Sequence, residues 1–544
     1  MWNQSPRNII EVGSLDCFSV GSIYILVSVY INRTFHIWAN RPAAVSLILM
    51  FLIKSGTDAD ECVSMWKKSS AAPTREILVN PGEWVRPLGY QETFMAVGGD
   101  YGTLNTVQGL WLSSAQPILP EEVWKAISIV AHRTHVLQLR VEWRGRQPWF
   151  RRIKRLIIPF KVERDDVMFV YYKTLWMPYE MSRGPLWRAR LVPLPPRSPG
   201  RYEAVLVIAA HHCITDGVTN MVLCRETLQV LNAIMSGRQP TVTSRLVISN
   251  IAEDQVTVQD RLFVLKNFCC KLYGLLMKNY STKFYFNGAF QQPATKQAIT
   301  KVLHKEYTVE TSRLLLLRCK EAGVTVHSCV VAAANLALLR VAQKQSSRDI
   351  DEALIRVMNC INMRHYYPRA CKESPGCHIS LDEQERLILS SDASSKEDFW
   401  CLAYLLNKDL KRSLIVDTIP IKNYPLCRLS TLMLHINHKL TRLGRKHRTD
   451  CHFVTMNMGN LRDLLPGKYD GPVEITNLLR SVSSEIMGHP FTLNFHTFLE
   501  RFMISLDYYT TKMTDEVAEL IFSTLTNYIN NIAHHGTVLV NPEA

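Results

Sequence analysis

Four residues in the run Ala204 to Thr219, AVLVIAAHHCITDGVT, are able to do chemistry: the adjacent His211 and His212, then Asp216 and Gly217. An imidazole held neutral at a strand end can take a proton near neutral pH, which is the work of a general base. A carboxylate four residues further on, across a turn, can take an arginine and fix the loop. The same residues also fit a structural description, with two buried histidines bonded to backbone carbonyls and an ordinary Asp-Gly turn. The full spacing His-His-x-x-x-Asp-Gly behind an apolar strand is more specific than a lone His-x-x-x-Asp.

The elements that must position these residues follow from pattern. Ala204 to Ala210 carry no charge and are rich in branched side chains, which predicts a strand buried on both faces. Val218, Met221, Val222, Leu228, Leu231 and Met235 then recur at helical spacing until Gly237, and Gly217 is expected to give the reversal its conformational freedom. Upstream, Val107, Leu110 and Leu112 predict a strand. Val123, Ile127, Val130 and Ala131 line a helix that starts after Pro120 and leads into a strand at Val136 to Arg140. Met181 to Leu194 reads as a turn and a strand feeding the central one. Downstream come a helix near Leu262 to Met277, then two helices within Val309 to Gln343 parted at Gly323, with His327 as a structural residue on the second. A strand from Ala353 to Met363 ends at Arg364, and His496 to Leu525 reads as a strand, a turn at Thr510 to Thr514 and a closing helix.

HHCITDG resembles in full the H-H-x-x-x-D-G signature of the CoA-dependent acyltransferase superfamily. That superfamily includes chloramphenicol acetyltransferase, condensation domains of nonribosomal peptide synthetases, polyketide-associated acyltransferases, alcohol acetyltransferases and plant BAHD acyltransferases. The resemblance runs in order from about residue 84 to the C-terminus and is loose outside the motifs. It implies an α/β fold of two chloramphenicol-acetyltransferase-like lobes, each a mixed sheet covered by helices, with the active-site tunnel between them. By this resemblance His212 is the catalytic base, Asp216 is structural and pairs with Arg364, and His211 and Gly217 belong to the motif loop. Phe453 to Leu461, FVTMNMGNL, falls where polyketide-associated acyltransferases and condensation domains carry a short polar turn ending in Asn-x-Gly. The Asp-Phe-Gly-Trp-Gly of plant members is absent, which argues against that branch. Thr455 and Asn457 are donors at a strand end able to face an oxyanion, although the same residues also make a good turn. The expected divisions are an extension at 1–80, an N-terminal lobe at 81–240, a crossover at 241–300 and a C-terminal lobe at 301–544.

Composition sets bounds on partners. A chain of 544 residues is long for one hydrophobic core, and 47% hydrophobic with 20% charged residues is a globular balance. A net charge of +15 invites a nucleic-acid partner, but the basic residues are scattered and no zinc-finger spacing or aromatic RNA-binding signature accompanies them, so none is expected. Arg144, Arg146, Arg151, Arg152, Lys154 and Arg155 form one basic cluster, and Lys439, Arg442, Arg445, Lys446 and Arg448 form another. Such runs are ordinarily solvated faces; the functional alternative is attraction of a polyanionic donor such as CoA, or of an acidic membrane surface.

The 14 cysteines are dispersed without a Cys-x-x-Cys pair, which predicts a reduced, cytoplasmic chain. Cys371, Cys377 and His378 lack paired ligand spacing and read as a loop around Pro375-Gly376, so no metal is expected. The apolar runs Cys17 to Ile31 and Ala43 to Ile53 fall short of the roughly 18–20 apolar residues that span a bilayer. Membrane contact through residues 1–53 is therefore the less favoured reading.

The sequence expectation is an enzyme, a monomer without bound cofactor, that moves an acyl group from acyl-CoA or a carrier-protein thioester to a small-molecule hydroxyl or amine acceptor. Two rivals stand beside it: a condensation-like protein that binds acyl thioesters without turnover, and a membrane-peripheral scaffold using the N-terminal apolar runs.

Overall fold

The structure, a computed structural model, describes residues 82–145, 147–196, 200–240, 246, 248, 299–346, 350–366, 375–414, 451–485 and 487–539. The expectations for the extension at 1–80, the helix at Leu262 to Met277, the basic run from Lys439 to Arg448, Arg146 and Cys371 lie outside the described residues.

The first half of the chain gives β1 (Trp84–Pro87), α1 (Tyr90–Asp100), β2 (Asn105–Ser114), α2 (Pro120–Arg133), β3 (Leu139–Arg144), β4 (Gln147–Arg152), β5 (Phe160–Val162), α3 (Val167–Trp176), β6 (Trp187–Leu194), β7 (Tyr202–His211) and α4 (Gly217–Met235). The second half gives β8 (Thr300–Glu306), α5 (Val309–Glu321), α6 (Val326–Gln345), β9 (Glu352–Asn362), β10 (Ile379–Leu389), α7 (Lys396–Leu414), β11 (Phe453–Asn460), β12 (Val473–Val482), β13 (Phe491–Phe498), β14 (Arg501–Tyr509) and α8 (Asp515–His535).

The first lobe is built on a five-stranded sheet ordered β12-β2-β7-β6-β5. β7 lies at its centre, antiparallel to β2 with Asn105 opposite His211, and antiparallel to β6 with Trp187 opposite Ala210. Ala204, Leu206, Ile208 and Ala210 enter a core shared with Val130 of α2 and Leu228 of α4. The alternate side chains Val205, Val207 and Ala209 enter a second core with Val170, Tyr171 and Leu175 of α3. Helices thus cover both faces, which is why the strand carries no charge from Ala204 to Ala210 instead of alternating. Leu206 and Leu228 are both fully buried, and each contributes about 1.5–3 kcal/mol.

The second lobe is a six-stranded mixed sheet, β10-β9-β11-β13-β14-β8, with β11 parallel to β9 and β13 and the other pairs antiparallel. Its core takes in α5, α6, α7 and α8. Helix α6 has the length and composition of a membrane span, yet it is mostly buried in this core. β9 and β11 pair only as far as Asn359 opposite Thr455. Beyond that point the sheet splits, and Arg364 and the segment 375–378 leave it toward the first lobe.

Three features depart from the sequence expectations. Residues His135–Gln138 form a 3-10 turn and not the start of a strand, because the Gln138 amide turns back to cap α2, donating to Ala131 O at 2.8 Å and His132 O at 2.9 Å. The stretch from His496 holds the end of one strand and all of the next, since Leu499 and Glu500 make a tight reversal at φ 49° and 63° between β13 and β14. The basic cluster on β3 and β4 is also engaged: Arg144 stacks on Trp84 and Trp149, while Arg151 stacks on Trp84 and binds Glu142 at 2.6 Å.

Candidate active site

The end of β7 is held by a set of short backbone bonds. His211 N–H donates to Leu186 O at 2.8 Å, and His212 N–H donates to Leu104 O at 2.9 Å. Leu104 has φ 65°, a conformation uncommon for a branched side chain, and it aims that carbonyl at the loop. The His211 ring is spent on structure. Its Nδ1 accepts from Cys213 N–H at 3.2 Å and its Nε2–H donates to Thr103 O at 3.2 Å. Burial pushes its pKa down to about 3. Gly99 must be glycine for this ring to fit, because a Cβ there would stand 2.6 Å from His211 Nε2.

His212 is placed differently. Its Nδ1–H donates to Thr215 O at 2.8 Å, which fixes the tautomer with an open lone pair on Nε2. Among the described residues, Nε2 has no hydrogen-bond partner, and it is not one of the enclosed polar atoms. The residue as a whole is 5% exposed. Burial lowers the pKa of the ring, against opposing pulls from its own backbone, from the Asp216 charge and from the Thr215 carbonyl. The imidazole is therefore neutral at pH 7, oriented, and open at one nitrogen.

Asp216 does not hydrogen-bond that imidazole. Its Oδ1 caps α4 by accepting from Thr219 N–H at 2.8 Å, and both oxygens take the Arg364 guanidinium, at 2.6 Å and 3.1 Å. Oδ2 also accepts from His378 N–H at 2.9 Å. Burial alone would raise this carboxyl, but the Arg364 charge and hydrogen bonds, with His378 and Thr219, hold it down at about 2. Asp216 and Arg364 are each 1% exposed, so the expected pair exists as a buried bidentate link from one lobe to the other. Thr219 Oγ1 extends the junction, receiving from Arg364 Nη2 at 2.9 Å and meeting the Gly376 backbone at 2.9 Å and 3.1 Å.

Gly217 is required for a reason other than the one expected from sequence. Its backbone is not left-handed; instead a Cβ would stand 2.5 Å from Met458 Sδ on β11. Glycine here permits the close approach of the second lobe.

Thr455 is a correction. It is fully buried and its hydroxyl donates to Asn359 Oδ1 at 2.8 Å, so its single proton is committed, and Asn359 Oδ1 also takes His327 Nε2 at 2.9 Å. Asn457 is exposed, and its Oδ1 accepts from Gly459 N–H at 2.8 Å, a local turn that leaves only Nδ2 as a donor. Sequence reasoning missed the segment Pro375 to His378 as part of the site. Cys377 Sγ lies 3.8 Å from His212 Nδ1, and burial, then the Asp216 charge, raise that thiol well above its ordinary pKa. Among the described residues no group of three His, Cys, Asp or Glu side chains is gathered closely enough to hold a metal ion.

A cleft of about 210 Å³ lies between the lobes, bounded by β2 and β12 on one side and by β8, β13 and β14 on the other. Arg480 lines it and also reaches the motif loop, its Nη2 standing 3.4 Å from the place of a Cβ on Gly217.

No protein-family profile matches the chain, and no curated protein matches it in sequence. Solved structures do match in fold. Trichothecene 15-O-acetyltransferase from Fusarium sporotrichioides superposes with a TM-score of 0.65 at 10% identity, covering 85% of this chain and 99% of that one. Polyketide synthase associated protein 5 from Mycobacterium tuberculosis gives 0.57 at 14% identity over 84% and 99%. The epimerization domain from the third module of tyrocidine synthetase B gives 0.59 at 14% identity over 85% and 99%. The chain has the two-lobed fold of these proteins. Since their reactions differ, the fold alone does not set the chemistry, and the site must.

Proposed function

We propose that the protein is an acyltransferase that moves an acyl group from a thioester, acyl-CoA or carrier-bound, to a hydroxyl or amine acceptor, with His212 as general base. The observation that carries this reading is the His212 ring, held in one tautomer by Thr215 O, with Nε2 unbonded among the described residues. The motif His211-His212-x-x-x-Asp216-Gly217 supports it through its resemblance to the CoA-dependent acyltransferases. The likeness in fold to a trichothecene acetyltransferase and to a condensation domain of a polyketide synthase supports it as well.

In this reaction Nε2 takes the proton of the acceptor O–H or N–H as the acceptor attacks the thioester carbonyl. A new C–O or C–N bond forms, the C–S bond breaks, and the departing sulfur takes the proton back from the imidazolium to leave as a thiol. Asp216 and Arg364 act by holding the loop, and no acyl-enzyme intervenes. Asn457 Nδ2 is the remaining donor of the expected oxyanion pair. The test is incubation of the purified chain with an isotope-labelled acyl-CoA panel and alcohol or amine acceptors, followed by mass spectrometry. Label in the acceptor product and none on the protein is expected; label retained on the protein, or in no product, overturns the proposal.

A further inference from the structure

The cleft between the lobes has mostly apolar walls, Trp111, Leu478 and Met503 among them, yet two buried polar side chains, Arg480 and His496, also line it. Arg480 is 7% exposed and His496 is 5% exposed, and among the described residues neither Nε nor Nη1 of the arginine, nor either ring nitrogen of the histidine, has a hydrogen-bond partner. A desolvated guanidinium with unmet hydrogen-bond donors is costly in a protein interior and is ordinarily paired. Asp507 is near enough for its charge to favour the guanidinium, but among the described residues it makes no hydrogen bond to it. Asp507 spends its Oδ2 on Val482 N–H at 2.9 Å and Asn494 Nδ2 at 2.8 Å, and burial raises its pKa to about 7. Glu306, at the cleft, is bound to Arg501.

We infer that this cleft is a subsite for one anionic oxygen group of a substrate, a carboxylate or a phosphate, seated by Arg480 with His496 beside it and with the neighbouring part of the substrate on the apolar wall. A volume of about 210 Å³ is below the roughly 300–1,000 Å³ of pockets that enclose whole ligands, so the cleft takes one end of a longer molecule. Arg480 Nη2 also stands 3.4 Å from the place of a Cβ on Gly217, so this guanidinium lies between the cleft and the motif loop. This deepens the acyl-transfer reading, on which it rests, by assigning a negative charge to one substrate.

The test is equilibrium binding to the purified full chain, with benzoate as probe and benzamide as its neutral isostere. Benzoate is expected to saturate the wild type and benzamide to bind at least about tenfold more weakly, as expected for an anion held by a guanidinium. Arg480→Met should lose benzoate by a similar factor while unfolding at the same or a higher temperature, because it removes an unpaired buried cation; Arg480→Lys should retain part of the binding. Coenzyme A displacing benzoate where pantetheine does not assigns the anion to the donor phosphates, and displacement by neither assigns it to an acceptor carboxylate. Equal affinity for benzoate and benzamide, or unchanged benzoate affinity in Arg480→Met, overturns the inference. His212→Ala should bind benzoate like wild type. Arg480-dependent binding without acyl transfer therefore sinks the enzymatic reading alone, and transfer without such binding sinks the subsite alone.

Discussion

Thr215 O takes the Nδ1–H of His212 and so keeps the lone pair on Nε2, while burial keeps the ring neutral below the ordinary histidine pKa. The pH dependence of the rate follows from the sign of that shift. Folded His212 takes up its proton only below about pH 6.5, and protonation fills the lone pair that does the work. With an alcohol acceptor that does not titrate, kcat/KM is expected to be flat from neutral pH upward and to fall on the acid side with uptake of one proton. A rate that keeps climbing between about pH 7 and 9 would point to a different base. His211, His212, Asp216 and Gly217 are legible in the sequence because they fall in one short motif and each acts through its residue type, the glycine by lacking a Cβ. Gly376 and His378 reach the same site through backbone N–H and C=O groups, which every residue type but proline carries, so no residue pattern marks them.

The motif loop is one half of a junction between elements. Asp216 caps the N-terminus of α4 and, through Arg364 and His378, fastens the turn after β9 and the approach to β10 onto the first lobe. Arg364→Met would leave that carboxylate buried with two backbone donors, and a cost of about 3–5 kcal/mol in urea unfolding is expected. Adding Asp216→Asn should recover part of the loss, since a neutral amide still caps a helix; a double variant whose loss equals the sum of the singles would contradict the pairing. At this scale the strands and helices with unbroken periodicity, β7, α2, α4, α6 and the helix that closes the chain, are legible. The β13–β14 hairpin is not, because its reversal uses Leu499 and Glu500 in left-handed backbone where a glycine or asparagine would have signalled it.

Over the whole molecule, the expectation of two lobes built on mixed sheets agrees with the structure, but the chain does not divide cleanly between them. β12 leaves the second half to lie against β2, with Val482 opposite Thr106. Its partner strand is more than three hundred residues away in sequence, and local pattern carries no trace of such a pairing. Burial also makes the molecule acid-sensitive. His211, His212, His304, His327, His378, His452, His489 and His496 all have pKa values held below 6.5. Below about pH 6.5 the unfolded chain therefore binds protons that the folded chain refuses, and stability falls as pH falls. Asp507 and Glu485, raised by burial, oppose this over part of the range, while Asp216, held at about 2, adds a further loss at lower pH. The unfolding midpoint should drop steadily between about pH 6.5 and 4, and a midpoint that rises there would contradict the buried, neutral state of these rings. The transfer reaction itself is best tested by following thiol release from acyl-CoAs, with alcohol or amine acceptors present, by the wild-type chain and by His212→Ala. Acceptor-dependent release that falls by roughly 10² to 10⁴ in the variant, with its unfolding midpoint unchanged, is predicted; equal release by both proteins would contradict His212 as the base.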